Sequence, residues 1–351
     1  MKERWLRLRF LVGASRRYAW SLLKSCIGFV AGRDFRFNER DLFLRQCIPH
    51  LMGIRAIRKI TCTGINDEGA CSQALMMTDA INFARFFGLT YEHTAFRVIE
   101  HAERPMDEWV KSWETLFHLG EGETVCDGQR HDVVEFSHNF NDLDMCFGWR
   151  RRWDELAERF KEMIPELQRK YYLQRVPRTS EEVTVAVHIR RGDVSSDDPD
   201  YFTGNETILR TIASVMAILE ARELRHKIRV YSQGSHSGFA DFSLPGVDLF
   251  LDADAIWTLR ELIEADVLIM AKGWFSHYAG LISDGVKIFE PVAQTGTGHL
   301  PSWKWRSVPL TESWIPCKAD GTFDSAAAEF QILRVVRAKA TSAVQHQNQP
   351  R

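Results

Sequence analysis

Val185-Ala186-Val187-His188-Ile189-Arg190-Arg191-Gly192-Asp193 decides how the rest of the chain is read. An apolar, β-branched run passes abruptly into His, two Arg and Asp. That is the pattern of a buried parallel strand whose carboxyl end reaches a crevice. In open α/β sheets, ligands bind outside the carboxyl ends of the strands. Adjacent guanidiniums there need anionic partners, and the fixed fork of arginine donors matches phosphate oxygens bidentately. The stretch therefore predicts a site for a nucleotide with two phosphates.

Working outward, the second half alternates between two periodicities. Residues 183–188 read as a strand, and Ile208, Ile212, Val215 and Leu219 recur at helical spacing. Strands are expected at 228–231, 247–251, 267–270 and 286–289. Helices are expected at 257–265, with Leu259, Leu262 and Ile263 inward, and at 277–283. Such alternation predicts a doubly wound parallel sheet. In the first half, residues 57–63 are β-prone and a polar turn runs from Gly64 to Gly69. Met76, Ala80, Phe83, Ala84 and Phe87 then mark a helix that Gly88 ends, and residues 89–93 read as the next strand. Residues 149–172 read as a charged helical stretch with Trp153, Leu156, Phe160, Met163 and Leu167 on one face. Pro177 and the polar run after it mark a boundary. The expected division is a basic helical segment 1–36, Rossmann-like domains 37–177 and 178–318, and a C-terminal helix with a polar, disordered tail 319–351.

Composition narrows the class. A formal net charge of −2 supplies no global field for nucleic acid, so no nucleic-acid partner is expected. No apolar run approaches the ~20 residues needed to span a bilayer. Seven scattered Cys with no CxxC pair read as reduced thiols of a cytoplasmic protein, without zinc-ligand spacing. Lys2, Arg4, Arg7, Arg9, Arg16, Arg17 and Lys24 alternate with Trp5, Leu6, Leu8, Phe10, Trp20 and Leu22. Arginines interrupt the apolar residues, so this is not a signal peptide. It is either a basic amphipathic helix resting peripherally on anionic lipid at the inner membrane face, or a surface helix packed on the body.

The strand end His188-Ile189-Arg190-Arg191-Gly192-Asp193 resembles the His-x-Arg-Arg-x-Asp motif of the GDP-fucose-dependent fucosyltransferases. This superfamily includes α1,2-, α1,6- and protein O-fucosyltransferases. Val230-Tyr231-Ser232 is similar to their second strand. Residues 266–270, followed by Gly273-Trp274-Phe275-Ser276-His277-Tyr278-Ala279-Gly280-Leu281, are similar to their strand and Ser-x-Phe-Ser helix start. The resemblance covers residues 183–291 well and the first half loosely. It implies a GT-B fold, with two doubly wound Rossmann-like domains facing across a cleft. It also implies an inverting transferase that needs no metal or other cofactor and moves L-fucose from GDP-fucose to a hydroxyl of a glycan or glycolipid. The first domain would be the acceptor side and the second the donor side. Two differences, Gly273-Trp274 in place of paired Ser and no acidic pair after Tyr231, keep two alternatives open: another nucleotide sugar as donor, or an inactive nucleotide- or glycan-binding homologue.

Candidate roles follow from chemistry and resemblance together. A diphosphate leaving group without a metal needs a cation, and Arg190 is assigned to it. Arg191 has a mixed role, and Asp193 braces the arginines. His188 shares a strand face with Arg190 and is expected to help hold the donor, unless it is a satisfied core histidine. Ser276 is expected to begin a helix whose N-terminal amides meet phosphate, with Phe275 and His277 beside it; a plain N-cap is the other reading. An acceptor hydroxyl needs a general base. Asp198 lies at the offset of a carboxylate in the α1,6 group, although Asp197, Asp198 and Asp200 also read as a solvated acidic loop. Gly64, Asn66 and Gln73 line the acceptor side, touch the donor from across the cleft, or simply form a turn. Trp303 and Trp305 are candidates for sugar stacking or core packing. Asp252-Ala253-Asp254 is a single D-x-D and is set aside as a metal site.

Overall fold

In a computed structural model the described residues are 48–51, 53, 56–64, 68–126, 133–137, 140–175, 180–291 and 309–347. The chain divides into a unit up to Ala56 and a second unit, Ile57–Arg351, which holds both sheets. Of the first unit, one helical turn at Ile48–Leu51 is described. The basic segment 1–36 lies outside the described residues, as do Asn66, Trp303 and Trp305.

The first sheet comprises β1 (Lys59–Thr61), β2 (Thr90–His93), β3 (Thr124–Val125) and β4 (Val133–Glu135). All pairings are parallel, in the order β3-β2-β1-β4. Between β1 and β2 runs α1 (Ala70–Phe87), nearly all of it buried. Gly88 ends it with φ 67°, a left-handed conformation that glycine adopts without steric cost. Helix α2 (Met106–Phe117) follows β2, and α3 (Phe140–Phe147) follows β4. The helical stretch expected at 149–172 is broken. A 3₁₀ turn at Trp149–Arg152 leads into α4 (Trp153–Phe160), and α5 (Met163–Tyr172) follows. Of the expected face, Leu156, Phe160, Met163 and Leu167 are buried, while Trp153 stays half-buried.

The second sheet contains β5 (Val183–His188), β6 (His226–Ser232), β7 (Val247–Leu251), β8 (Val267–Ile269), β9 (Val286–Phe289) and β10 (Trp314–Pro316). Its order is β7-β6-β5-β8-β9-β10, parallel throughout. In chain order that is third, second, first, fourth, fifth, sixth, the doubly wound Rossmann arrangement. Two parallel α/β layers are thus the observed fold class, as expected. The connecting helices are α6 (Asn205–Ala221), α7 (Ala255–Ile263), α8 (Trp274–Ile282) and α9 (Ser325–Gln347).

The period of two along a strand sorts the core. Val183, Val185, Val187, Ile228, Val230, Val267, Ile269, Val286, Ile288 and Ile315 pack with Ile208, Ile212 and Val215 of α6 and Ala328 and Ile332 of α9. The opposite face carries α7 and α8. Tyr278 of α8 reaches the first half, with its hydroxyl 3.2 Å from that of Thr78 on α1 and its ring edge-on to Phe117 of α2.

Most element ends shift by one to three residues from expectation, and three shifts have a visible cause. Helix α8 begins at Trp274 rather than at 277, because Gly273 in extended backbone is its N-cap. The C-terminal helix continues to Gln347, past the point where the polar tail was expected to be disordered. Lys339 docks it, donating to Asp266 at 2.8 Å. Helix α7 starts two residues early, at Ala255, because Asp254 caps it by accepting from Trp257 N at 2.7 Å. The D-x-D aspartate is therefore a helix cap.

Candidate functional site at the second switch point

Strand order reverses between β5 and β8, and in open α/β sheets that reversal opens the binding crevice. The carboxyl end of β5 delivers His188, Ile189 and Arg190 there. Ile189 turns into the α6 side of the core, so His188 and Arg190 both emerge on the α8 side. Beyond β8, Met270-Ala271-Lys272-Gly273 leads into the start of α8.

Arg190 is held as a fixed fork. Its Nε donates to Asp193 Oδ1 at 3.1 Å and Oδ2 at 3.2 Å, and its Nη2 to Oδ2 at 2.5 Å. Nη1 donates to the Lys272 carbonyl at 3.4 Å, and the guanidinium lies 5.0 Å from the Tyr201 ring centroid. These contacts occupy the Nε edge and leave further N–H groups on both Nη atoms, with 28% of the side chain exposed. Asp193 is held below the usual carboxylate range, chiefly by its hydrogen bonds from Arg190. Gly273 matters here because a Cβ at that position would sit 3.3 Å from Arg190 Cδ and Nη1.

Arg191 faces the other way. Nη1 donates to the Arg190 carbonyl, and Nη2 to the Thr203 carbonyl and to Asn205 Oδ1, each at 2.8 Å. The guanidinium also stacks over Phe202. It fastens the loop 192–204 to the start of α6, while Gly192 makes the turn with φ 88°.

His188 is 2.5 Å through Nδ1 from Ser276 Oγ, and its ring lies 5.2 Å from that of Phe275. Burial, aided by the Arg190 charge, lowers its pKa from 6.5 to about 4, so the ring is neutral near pH 7. Ser276 differs from the expectation that it starts the helix. It is the third residue of α8, fully buried, and its hydroxyl accepts from Ala271 N at 3.1 Å. It therefore joins the histidine to the β8–α8 turn and leaves the cap position to Gly273. His277 is buried between Trp274 and Trp314. Asp198 lies in the loop 192–204, half-buried, and its carbonyl accepts from Tyr201 N and Phe202 N.

The first sheet has its own order reversal, between β1 and β4. There Glu135 Oε1 accepts from Thr63 N and Ser137 N, both at 3.0 Å. Gly64 turns with φ 72° against the side-chain oxygen of Gln73. Gln73 is fully buried and spends its amide on the carbonyls of Glu68 (2.7 Å) and Val98 (2.8 Å). Gly64 and Gln73 thus organise a turn at the crevice edge of the first sheet.

Sequence reasoning missed the contribution of the β2–α2 loop. Glu103 accepts from Ala255 N at the start of α7 (3.1 and 3.2 Å), and Arg104 pairs with Asp254. His101, in left-handed backbone with φ 58°, acts electrostatically on Asp193. A loop of the first half therefore reaches the crevice edge of the second. No strand-end pattern marks these residues: β2 is Thr90-Tyr91-Glu92-His93, and Glu103 and Arg104 lie ten and eleven residues beyond it. Among the described residues, no group of three His, Cys, Asp or Glu is placed to hold a metal, and no helix is long and apolar enough to cross a membrane.

No family model and no curated protein matches the chain. Among solved structures it is similar to POFUT1 in complex with GDP-fucose, with TM-score 0.33 and 12% identity over 65% of this chain and 94% of that one. It is also similar to the E. coli heptosyltransferase WaaC with ADP (0.39; 11%; 80% and 98%). A third is the wall teichoic acid polymerase TagF (0.26; 10%; 90% and 100%). Likenesses this distant carry no weight for the chemistry of this chain, which rests on its own residues. Those residues define a parallel α/β protein with an arginine fork at a Rossmann switch point.

Proposed function

We propose that the chain is a glycosyltransferase of GT-B layout. It transfers L-fucose from GDP-fucose to a hydroxyl of a glycan or glycolipid, with inversion and without a metal. One observation carries this reading: Arg190, braced by Asp193 and fed by the β5–β8 switch point, presents open guanidinium N–H groups beside the start of α8. A diphosphate seated there meets a fixed cation and a positive helix end together. As the anomeric carbon–oxygen bond breaks, its electron pair goes to the diphosphate, and Arg190 stabilises the growing charge. The acceptor oxygen attacks the opposite face, and Asp198 takes its proton. His188, neutral and tied to Ser276, offers its ring and that of Phe275 to the donor.

The test is a thermal-shift titration followed by a turnover assay. GDP should raise the melting temperature by mass action and UDP should not; GDP-fucose should then be consumed with a glycan acceptor present. Protection by UDP above that by GDP would reassign the donor. GDP binding with no turnover over a panel of acceptors would identify a non-catalytic nucleotide-binding protein.

A further inference from the structure

Lys272 stands at the carboxyl end of β8 with only 10% of its side chain exposed. Its ammonium donates to the carbonyls of Pro199 (3.1 Å) and Phe202 (3.2 Å) and pairs with Glu290 Oε1 at 2.8 Å. Glu290 closes the circuit, its other oxygen accepting from Thr203 Oγ1 at 3.3 Å. The loop 192–204 is thereby fastened across the ends of β8 and β9. That loop carries Asp193, which grips the Nε side of Arg190, and Tyr201, which lies under its guanidinium plane. The carbonyl of Lys272 meanwhile accepts from Nη1, on the opposite side of the same guanidinium.

We propose that Lys272 is the positioning residue of the nucleotide site. It holds Arg190 from one side through its own carbonyl and from the other through the loop its ammonium pins. The inference rests on the nucleotide reading above and adds to it a residue with no direct contact to the ligand. A charged group that is nine-tenths covered and shared among three acceptors is costly unless all three are held. Its spacing is therefore rigid, and a guanidinium fork must be held within about 0.5 Å of its working geometry to engage a diphosphate fully.

The test compares Lys272→Met and Lys272→Arg in the full-length chain, by calorimetric titration with GDP and by hydrogen exchange of the amides in 193–204. Lys272→Met should weaken GDP binding about tenfold and speed exchange at Tyr201 and Phe202. In the transfer reaction it should raise the KM for the donor more than that for the acceptor. Lys272→Arg, which still reaches carbonyl oxygens, should restore most of the affinity. If Lys272→Met fails to fold, Glu290→Gln supplies the same readouts, since it releases the ammonium from its carboxylate. Variants that bind GDP as tightly as the wild type, despite faster exchange in the loop, would overturn the proposal alone. A wild type that binds no GDP would overturn the nucleotide reading itself.

Discussion

At the scale of single residues, Arg190 and His188 set the chemistry of the crevice. Asp193 and the Lys272 carbonyl fix Arg190 in one orientation, so the side chain meets a ligand already ordered and loses little further entropy. Arg190→Ala should leave the fold intact and weaken GDP binding by about 1.5–3 kcal/mol, the worth of a charge-assisted hydrogen bond, as read by titration calorimetry. Arg190→Lys should recover only part of this, because one ammonium cannot reproduce the bidentate fork. His188 makes a prediction about pH. Its folded pKa is depressed from 6.5 to about 4, so between those values the unfolded chain binds the extra proton and stability falls as pH falls. Above the unfolded value both states are neutral and the residue contributes nothing to the slope. Melting curves between pH 4 and 7 should therefore flatten in His188→Asn relative to the wild type; an unchanged slope would show that the histidine protonates freely in the fold.

At the scale of elements, legibility followed the length of the periodic pattern. Strands β5, β7 and β9 match their expected spans residue for residue, because buried parallel strands are continuous β-branched runs bounded by polar turns. Strands β3, β4 and β10, of two or three residues each, were not foreseen; β1 and β8 are as short but sit in longer β-prone runs, residues 57–63 and 267–270. Ser276 was misplaced for a different reason. Serine is the commoner N-cap, but Gly273 takes that position because the Arg190 side chain fills the space where a Cβ would point. The β9 entry offers a stability test. A Cβ on Gly285 would collide with the backbone carbonyls of Ala265 and Asp266, atoms that cannot swing aside as a side chain would. Gly285→Ala should cost about 1–3 kcal/mol, seen as a lower denaturant midpoint. A midpoint equal to that of the wild type would mean that the α8–β9 turn adjusts without strain.

At the scale of the whole molecule, two parallel sheets, each with a reversal of strand order, were foreseen from alternating periodicities and from one strand end. How the second unit closes on itself was not. The edge contacts of Glu103 and Arg104 with the start of α7, and the Thr78–Tyr278 contact, join residues more than 140 positions apart in isolated pairs that leave no periodic trace. The candidate site was legible as far as it sits on a strand: His188, Arg190, Arg191 and Asp193 were all read from one run. Lys272 was not, because two of its three partners are backbone carbonyls, which every residue carries and no sequence distinguishes, and the third, Glu290, lies at the end of another strand. The β2–α2 loop is tethered at this scale by an exposed ion pair, Arg104 with Asp254. Breaking the ion pair with Arg104→Ala should leave the melting temperature within a degree or two, since an exposed pair is worth about 0–1 kcal/mol. It should also increase proteolytic nicking within residues 94–105, and nicking at the wild-type rate would show that the pair does not tether the loop.

The most direct measurement is a crystal structure of the protein with GDP bound. The account predicts the β-phosphate within hydrogen-bond distance of the Arg190 guanidinium and facing the first turn of α8, with the Asp193 brace intact. A nucleotide seated elsewhere, or an Arg190 fork turned away from its phosphates, would contradict it.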